Sequence, residues 1–357
     1  MVPKKKIDEI LDGYDPSKLT IATLCSHSSL QIFHGARKMG FKTLGLVTKN
    51  NQKIYDAFPL AKPDRFVSYS DYDDMEERAG ELLDENVVLI PHGSFVEYMG
   101  AKKFEDFAVP SYGNRAVLNW ESDRDKQRSW ITSAGAPMPR LITDAREIKE
   151  PVMVKYHGAK GGRGFFIAKD YPDFKMGIDN SQPYTIQEYC LGTRYYLHFF
   201  YDPLKTDGYR IKQGGSLELL SIDRRDEYNI DEMYKLGSIE DAKRHGLYPS
   251  FVVTGNTPVV IRESLLPKAF EMAENIVNRS YELFGGMWGP FCLETVVNDK
   301  LEFRIFEIST RIVAGTNPFI NGSPYAEMIY PGMSTGARMA MEIRDAVQVG
   351  KLKTLIS

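Results

Sequence analysis

The chain has 357 residues, 43% of them hydrophobic and 26% charged, an ordinary globular composition long enough for about two domains of about 150 residues. At that length folding hides roughly 75% of the surface an unfolded chain exposes, so a core can form without disulfides or a structural metal, and disorder is excluded. Lys plus Arg number 45 against 48 Asp plus Glu, net −3, so no general attraction for nucleic acid or an anionic membrane is expected. The three cysteines, Cys25, Cys190 and Cys292, form no CxxC pair, which argues against a disulfide framework or a zinc ribbon and for a reducing cytoplasm. MVPKKKIDEI carries charges but no apolar stretch behind them, and no window approaches about 18 apolar residues, so no membrane segment is expected.

From Leu19 to about Gly113, short apolar runs alternate with helix-like stretches: LTIATLC, LQIFHGARKMG, FKTLGLVT, RFVSYS, DYDDMEERAGELLDE, NVVLIPHG and FAVPSYG. Buried runs such as VVLI and LGLV suit a parallel sheet between two helix layers, where ligands gather at the carboxyl ends of strands. Those ends carry CSHSS and PHGSF. His27, Ser28 and Ser29 stand between a strand and a helix start, where free N–H groups and hydroxyls can hold a phosphate, and Ser94 occupies the equivalent place after a later strand. Helix capping is the other reading of these serines. GxGxxG is missing, which makes an oxidoreductase remote. His34, His92, His157, His198 and His245 show no metal spacing and read as structural or unassigned.

ESDRDKQRSWITSAG reads as a polar helix closed by APMP at Ala136–Pro139, after which the pattern changes to strand pairs. VMVKY and FFIAK flank a loop with Gly158, Gly161, Gly162 and Gly164 beside Lys160 and Arg163, so backbone and two cations can approach an anion together. It runs strand to strand, which excludes a Walker loop; Lys155, ending the incoming strand, can reach the same phosphates as a point charge. TIQEYCLG offers Gln187 and Glu188 beside an apolar surface, suited to an adenine edge or to an ordinary amphipathic strand. RYYLHFFY and SLELLSI follow, then a helix in RESLLPKAFEMAENIVNRSYELF, where Leu265, Phe270, Ala273 and Ile276 roughly keep helical spacing.

PFCLETVV and KLEFRIFEIS place Glu294 and Glu307 in apolar strands, where an unpaired ionised carboxylate is costly. They want a cation: magnesium shared with substrate phosphates, or arginines such as Arg304 and Arg311. The two can oppose each other only across a longer turn, roughly Asn298 to Phe303.

A lysine before a Gly-rich strand-to-strand loop, a QEY segment and two acidic residues, in that order after an α/β region, resemble the ATP-grasp ligases. SHSSLQIFHGA, VLIPHGSF, SYGNRAVLNWES, VKYHGAKGGRGFFIA, TGNTPVVIRESLLP, GPFCLETV and FEISTRIVAGTN extend the similarity over nearly the whole chain to the archaeal formate-dependent phosphoribosylaminoimidazolecarboxamide ligases, the FAICAR synthetases of purine biosynthesis. The resemblance implies an α/β and α+β architecture: a Rossmann-like pre-ATP-grasp domain over 1–118 on the AICAR side, then an ATP-grasp fold over 119–357.

It also implies the reaction ATP + formate + AICAR giving FAICAR + ADP + phosphate through formyl phosphate, with Mg2+ or Mn2+, in a cytoplasmic homo-oligomer. Carried over by motif, His27, Ser94 and Asn256 would contact AICAR. Lys155, Lys160, Gly161, Gly162, Arg163, Gly164, the hinge Gln187, Glu188, Tyr189 and Cys190, and Glu227 would hold ATP. Glu294 and Glu307 would bind metal, and Lys155, Lys160 and Arg311 would stabilise the transferring phosphoryl group. Two positions depart from the superfamily pattern: Ser309 stands where a ligating Asn is frequent, and Gln187 where Glu is common. The competing readings are another ATP-grasp ligase of the purine pathway acting on a different carboxylate, and a nucleotide sensor without turnover.

Overall fold

The computed structural model describes residues 1–48, 52–157, 164–227, 237, 241, 244–245 and 252–357. The first apolar runs form the expected parallel sheet, β1 (Thr20–Leu24), β2 (Lys42–Val47), β3 (Arg65–Ser68) and β4 (Val87–Leu89), in the order β3-β2-β1-β4. β1 is buried along its whole length and β2 except at Lys42, as a sheet covered on both faces requires. Two expectations fail locally. FAVPSYG is not a strand; it makes only the single bridges Leu89–Ser111 and Tyr112–Ile356, because Pro110 offers a carbonyl but no N–H to a ladder. The acidic helix after Ser70 is capped by Asp71 but splits at Arg78 into Tyr72–Glu77 and Ala79–Leu83.

The polar helix is likewise two, Ala116–Ser122 and Arg124–Ser133, because Asp123 is extended and its carboxylate accepts from the Asp125 and Lys126 N–H groups, starting a new helix. A small antiparallel sheet follows: β5 (Leu141–Ile142), β6 (Val152–Tyr156), β7 (Phe165–Ala168) and β8 (Tyr184–Glu188), in the order β5-β8-β6-β7. Val152, Val154, Ala168 and Ile186 pack with Phe174 of the helix Tyr171–Gly177. Strand alternation then puts Met153, Lys155, Thr185 and Gln187 on the opposite face.

The central sheet orders β10 (Tyr209–Arg210), β11 (Ser216–Glu227), β9 (Thr193–Asp202), β13 (Gly289–Val297) and β14 (Phe303–Ser309), with β12 (Val253–Pro258) on the far part of β11. One face, with Leu197, Phe199, Phe291 and Leu293, packs on the helix Leu266–Phe284. The other carries Tyr196, His198, Phe200 and Asp202 on β9 beside Cys292 and Glu294 on β13. At the Asp202 end the helix Thr335–Gln348 covers this second face, where buried Arg338 pairs with Asp202 (2.7 Å) and Glu218 (2.8 Å) and lies over Phe200.

That helix also crosses Ser29–Lys38 of the first region at Gly35 and Gly336, where a Cβ on either would overlap the backbone of the other. The Ser111 N–H donates to the Ser357 carbonyl and the Ser357 N–H to the Ser111 carbonyl. The chain thus returns to its first sheet after building the second region, which ties the two regions together.

Candidate active site

Glu294 and Glu307 are directly opposed register partners on β13 and β14. The hairpin loop Asn298–Glu302 is closed by the Asn298 N–H donating to the Glu302 carbonyl. Counted back regularly from the pair Val297–Phe303, Phe306 would face Glu294; a bulge between Glu294 and Thr295 inserts one residue and brings Glu307 opposite instead. Glu294 is buried and accepts from Arg225 (3.0 and 3.3 Å) and from the Ser309 hydroxyl (3.2 Å). Arg225 in turn lies 3.8 Å from the centre of the Tyr196 ring. The arginine expected at this carboxylate was Arg304 or Arg311. Arg304 instead faces Glu188 and Glu302, and Arg311 pairs with Glu121 at 2.7 Å, because cross-strand position rather than nearness in sequence selects the partner.

The Glu307 side chain is exposed, so water reaches it, yet protein atoms crowd its carboxyl. Its carboxyl is pushed up to about 7 by poor hydration first, then by the charges of Glu294 and Glu121, with Arg225 and Arg124 opposing. The Glu307 carboxylate makes no hydrogen bond among the described residues, and with Glu294 it forms a carboxylate pair short of positive charge. A divalent cation fits that deficit. Among the described residues no group of three or more His, Cys, Asp or Glu could hold one, so two carboxylates plus phosphate oxygens would make up its ligands, as magnesium prefers.

Lys155, at the end of β6 opposite Thr185, has its ammonium pushed down by burial first and then by Arg124, with the charge of Glu307 opposing. It therefore stands within the field of the carboxylate pair. Gly164 closes the following hairpin at φ 75°, its carbonyl accepting from the Tyr156 N–H. Lys160, Gly161, Gly162 and Arg163 lie outside the described residues. Along the hinge, Gln187 shares the open face of β8 with Lys155's neighbour Thr185. The Glu188 carboxylate is taken by the Arg140 N–H at 3.1 Å, and Cys190 is pushed up to about 11 by burial and then by Glu188. Glu227 ends β11 in an ion pair with Arg194 at 2.5 Å.

At the carboxyl end of the parallel sheet, Ser28 takes the left-handed conformation at φ 66°, and its hydroxyl lies 3.1 Å from the His27 Nδ1 rather than capping its helix. Ser94 starts the π-helical turn Phe95–Met99 without a side-chain cap bond; its hydroxyl donates to Ser26 at 2.8 Å. Capping is therefore not the role of Ser28 or Ser94. His92 is held between the Leu24 carbonyl and the Ser94 N–H, so its Nδ1 accepts and its Nε2 carries the proton.

His27 packs edge-on against His92, and a bridge from His92 to Ile312 brings Arg311 alongside. A Cβ on Gly93 would stand 2.6 Å from the His27 Nε2 and 3.3 Å from an Arg311 Nη. Burial and then Arg311 push His27 down to about 4, which leaves it neutral at pH 7. Asn256 is the register partner of Arg225, and its Oδ1 is buried without a partner among the described residues, as is the Arg311 Nε.

His27, Ser94 and Arg311 are thus gathered in one cluster, Asn256 and Glu294 share the Arg225 neighbourhood, and Lys155 feels the charge of Glu307. Sequence reasoning missed Ser26, Glu121, Arg124 and Arg225, whose positions depend on register and helix packing. Three hollows at Lys18–Phe41–Arg344, Asp202–Arg338–Asp345 and His34–Leu60–Asp64 lie elsewhere and border none of these groups.

Family models match residues 21–142, described as a protein of unknown function (DUF1246), and 176–357, a domain of unknown function (DUF1297). The 5-formaminoimidazole-4-carboxamide-1-(beta)-D-ribofuranosyl 5'-monophosphate synthetases of Methanothrix thermoacetophila and Methanococcoides burtonii are 56% and 55% identical to this chain over the full length of both partners. The crystal structure of an IMP biosynthesis protein PurP from Thermococcus kodakaraensis matches with TM-score 0.72 and 28% identity, covering 94% of this chain and 100% of that one. An ADP complex of purK, N5-carboxyaminoimidazole ribonucleotide synthetase, has TM-score 0.62 at 15% identity over 93% of this chain and 78% of that one, a likeness of fold alone.

Proposed function

This chain belongs to the 5-formaminoimidazole-4-carboxamide-1-(beta)-D-ribofuranosyl 5'-monophosphate synthetase family, ATP-grasp ligases of IMP biosynthesis, and on that premise we propose that it joins formate to the amine of AICAR while ATP becomes ADP and phosphate. The observation that carries the site is the opposition of Glu294 and Glu307, with Lys155 in the field of Glu307 and the His27–Ser94–Arg311 cluster linked to it through Glu121.

A formate oxygen bonds to the γ-phosphorus as the bond to ADP's bridging oxygen breaks. The AICAR nitrogen then attacks the formyl carbon, phosphate leaves with the bonding pair, and the nitrogen gives up a proton. Formyl phosphate hydrolyses readily, so water must be kept out while it exists, a role we assign to the glycine loop at Lys160–Gly164. Lys155, Lys160 and Arg311 oppose the charge of the transferring group. Magnesium or manganese held by Glu294 and Glu307 would add positive charge at the phosphate oxygens. The hinge Gln187–Cys190 and Glu227 complete the ATP side.

On the AICAR side, His27 and Ser94 take the sugar phosphate, which would draw the neutral imidazole toward protonation, and the orphaned Asn256 Oδ1 accepts from an N–H of the base. We assign 1–118 to AICAR and 119–357 to ATP, metal and formate, in a cytoplasmic homo-oligomer. Among the described residues no helix is long and apolar enough to cross a membrane. ADP release measured with ATP and AICAR, with and without formate, tests the reading. It should require all three, and ADP formed equally well without formate would overturn it.

A further inference from the structure

Phosphate and AICAR have cations and hydroxyls assigned to them in this site, but formate has none, and a one-carbon acid offers little to grip except its charge. We propose that Arg124 binds the carboxylate of formate, an assignment that rests on the ligase reading above. Arg124 is the first residue of the helix Arg124–Ser133. Two anchors bracket it in sequence. The Glu121 carboxylate accepts from the Thr310 N–H and hydroxyl (both 2.7 Å), and the Gln127 amide donates to the Ile308 carbonyl (3.0 Å) and accepts from the Ile308 N–H (3.4 Å).

Those contacts hold the intervening residues against the end of β14 that carries Glu307. Arg124 is exposed there and makes no hydrogen bond or ion pair among the described residues. The neighbouring guanidinium groups are engaged: Arg225 with Glu294, Arg194 with Glu227, Arg304 with Glu188 and Glu302, and Arg311 with Glu121 and, by the reading above, with the phosphoryl group. Independently of these contacts, the charge of Arg124 acts at both Lys155 and Glu307, where it is a secondary influence behind burial.

Docked by Glu121 and Gln127 at the Glu307 end of β14, and unpaired among the described residues, this guanidinium is available to a carboxylate that approaches the phosphoryl group. Its planar fork can donate two parallel N–H bonds to a carboxylate.

Steady-state kinetics of Arg124→Gln and Arg124→Lys in the full chain, varying formate, ATP and AICAR in turn, test the assignment. Arg124→Gln should raise the KM for formate about 10-fold to 150-fold, with the KM for ATP and AICAR changed by less than about threefold, and Arg124→Lys should recover part of the loss. The melting temperature should stay within about 1 °C, since an exposed side chain with no partner contributes little to stability. An unchanged formate KM, or an ATP KM that rises as far as the formate KM, overturns the assignment, the second by giving Arg124 to the phosphoryl group. ADP release by the unmodified protein that ignores formate would overturn the ligase reading, and this assignment with it.

Discussion

Replacing Glu307 by Gln separates what the site needs for chemistry from what the fold needs for stability. The substitution keeps the shape and removes one negative charge from a place where Glu294 and Glu121 already crowd it. If the carboxylate pair holds the metal, turnover should fall at least about 100-fold, equivalent to about 2.7 kcal/mol of transition-state stabilisation. Stability should move the other way. The folded carboxyl sits at about 7 against 4.5 for an ordinary glutamate, so whatever stability it contributes is fully present below pH 4.5 and is lost as pH rises through 7.

In metal-free buffer at pH 8 the Gln variant should therefore melt no lower than the unmodified protein. Because the Glu307 side chain is exposed to water, the gain should not exceed about 1 kcal/mol, or about 2 °C. Magnesium with an ATP analogue should raise the melting temperature of the unmodified protein and have much less effect on the variant. Scanning fluorimetry from pH 5 to 8 beside a coupled ADP assay reads both effects. Near-normal turnover at saturating magnesium, or a clear drop in metal-free melting temperature at pH 8, would refute the reasoning.

His27→Ala and Ser94→Ala should each raise the AICAR requirement, lowering kcat/KM for AICAR about 10-fold to 150-fold with ATP affinity nearly unchanged; calorimetric titration with an ATP analogue and then AICAR checks this, and equal weakening of both ligands would argue against it. Gly336→Ala drives a Cβ into the Gln31 backbone at the helix crossing, so it should cost about 1–3 kcal/mol and lower the melting temperature by several degrees. Arg338→Met takes the buried cation from Asp202 and leaves Glu218 only Lys205 (2.8 Å), and should cost about 3–5 kcal/mol in urea unfolding, whereas a loss below about 1 kcal/mol would mean the network relaxes.

The placing of Lys155 at a strand end and of the two acidic residues on paired strands was legible because each depends on local chemistry: charge stands out where an apolar strand would otherwise exclude it. The capping reading of the serines could not be dismissed from sequence, since capping and phosphate binding use the same residue at the same place. Hydroxyl direction rules out capping: in the fold Ser28 turns to His27 and Ser94 to Ser26. The strand expected at FAVPSYG was misread because an apolar run containing proline satisfies hydrophobic periodicity while lacking a ladder donor.

The sequence alone determined the order of elements, the parallel and antiparallel halves and the residue types available for phosphate and metal, because periodicity and side-chain chemistry are properties of short stretches. Tertiary structure decided which of those residues meet. One inserted residue near Phe306 turns Glu307 toward Glu294, β11 supplies Arg225 from 69 residues away, and Glu121 and Gln127 dock a helix start on β14. The returning helix Thr335–Gln348 fixes the first sheet against the second through Gly35 and Gly336. Register, bulges and helix crossings arise from packing between distant segments, so no local pattern encodes them.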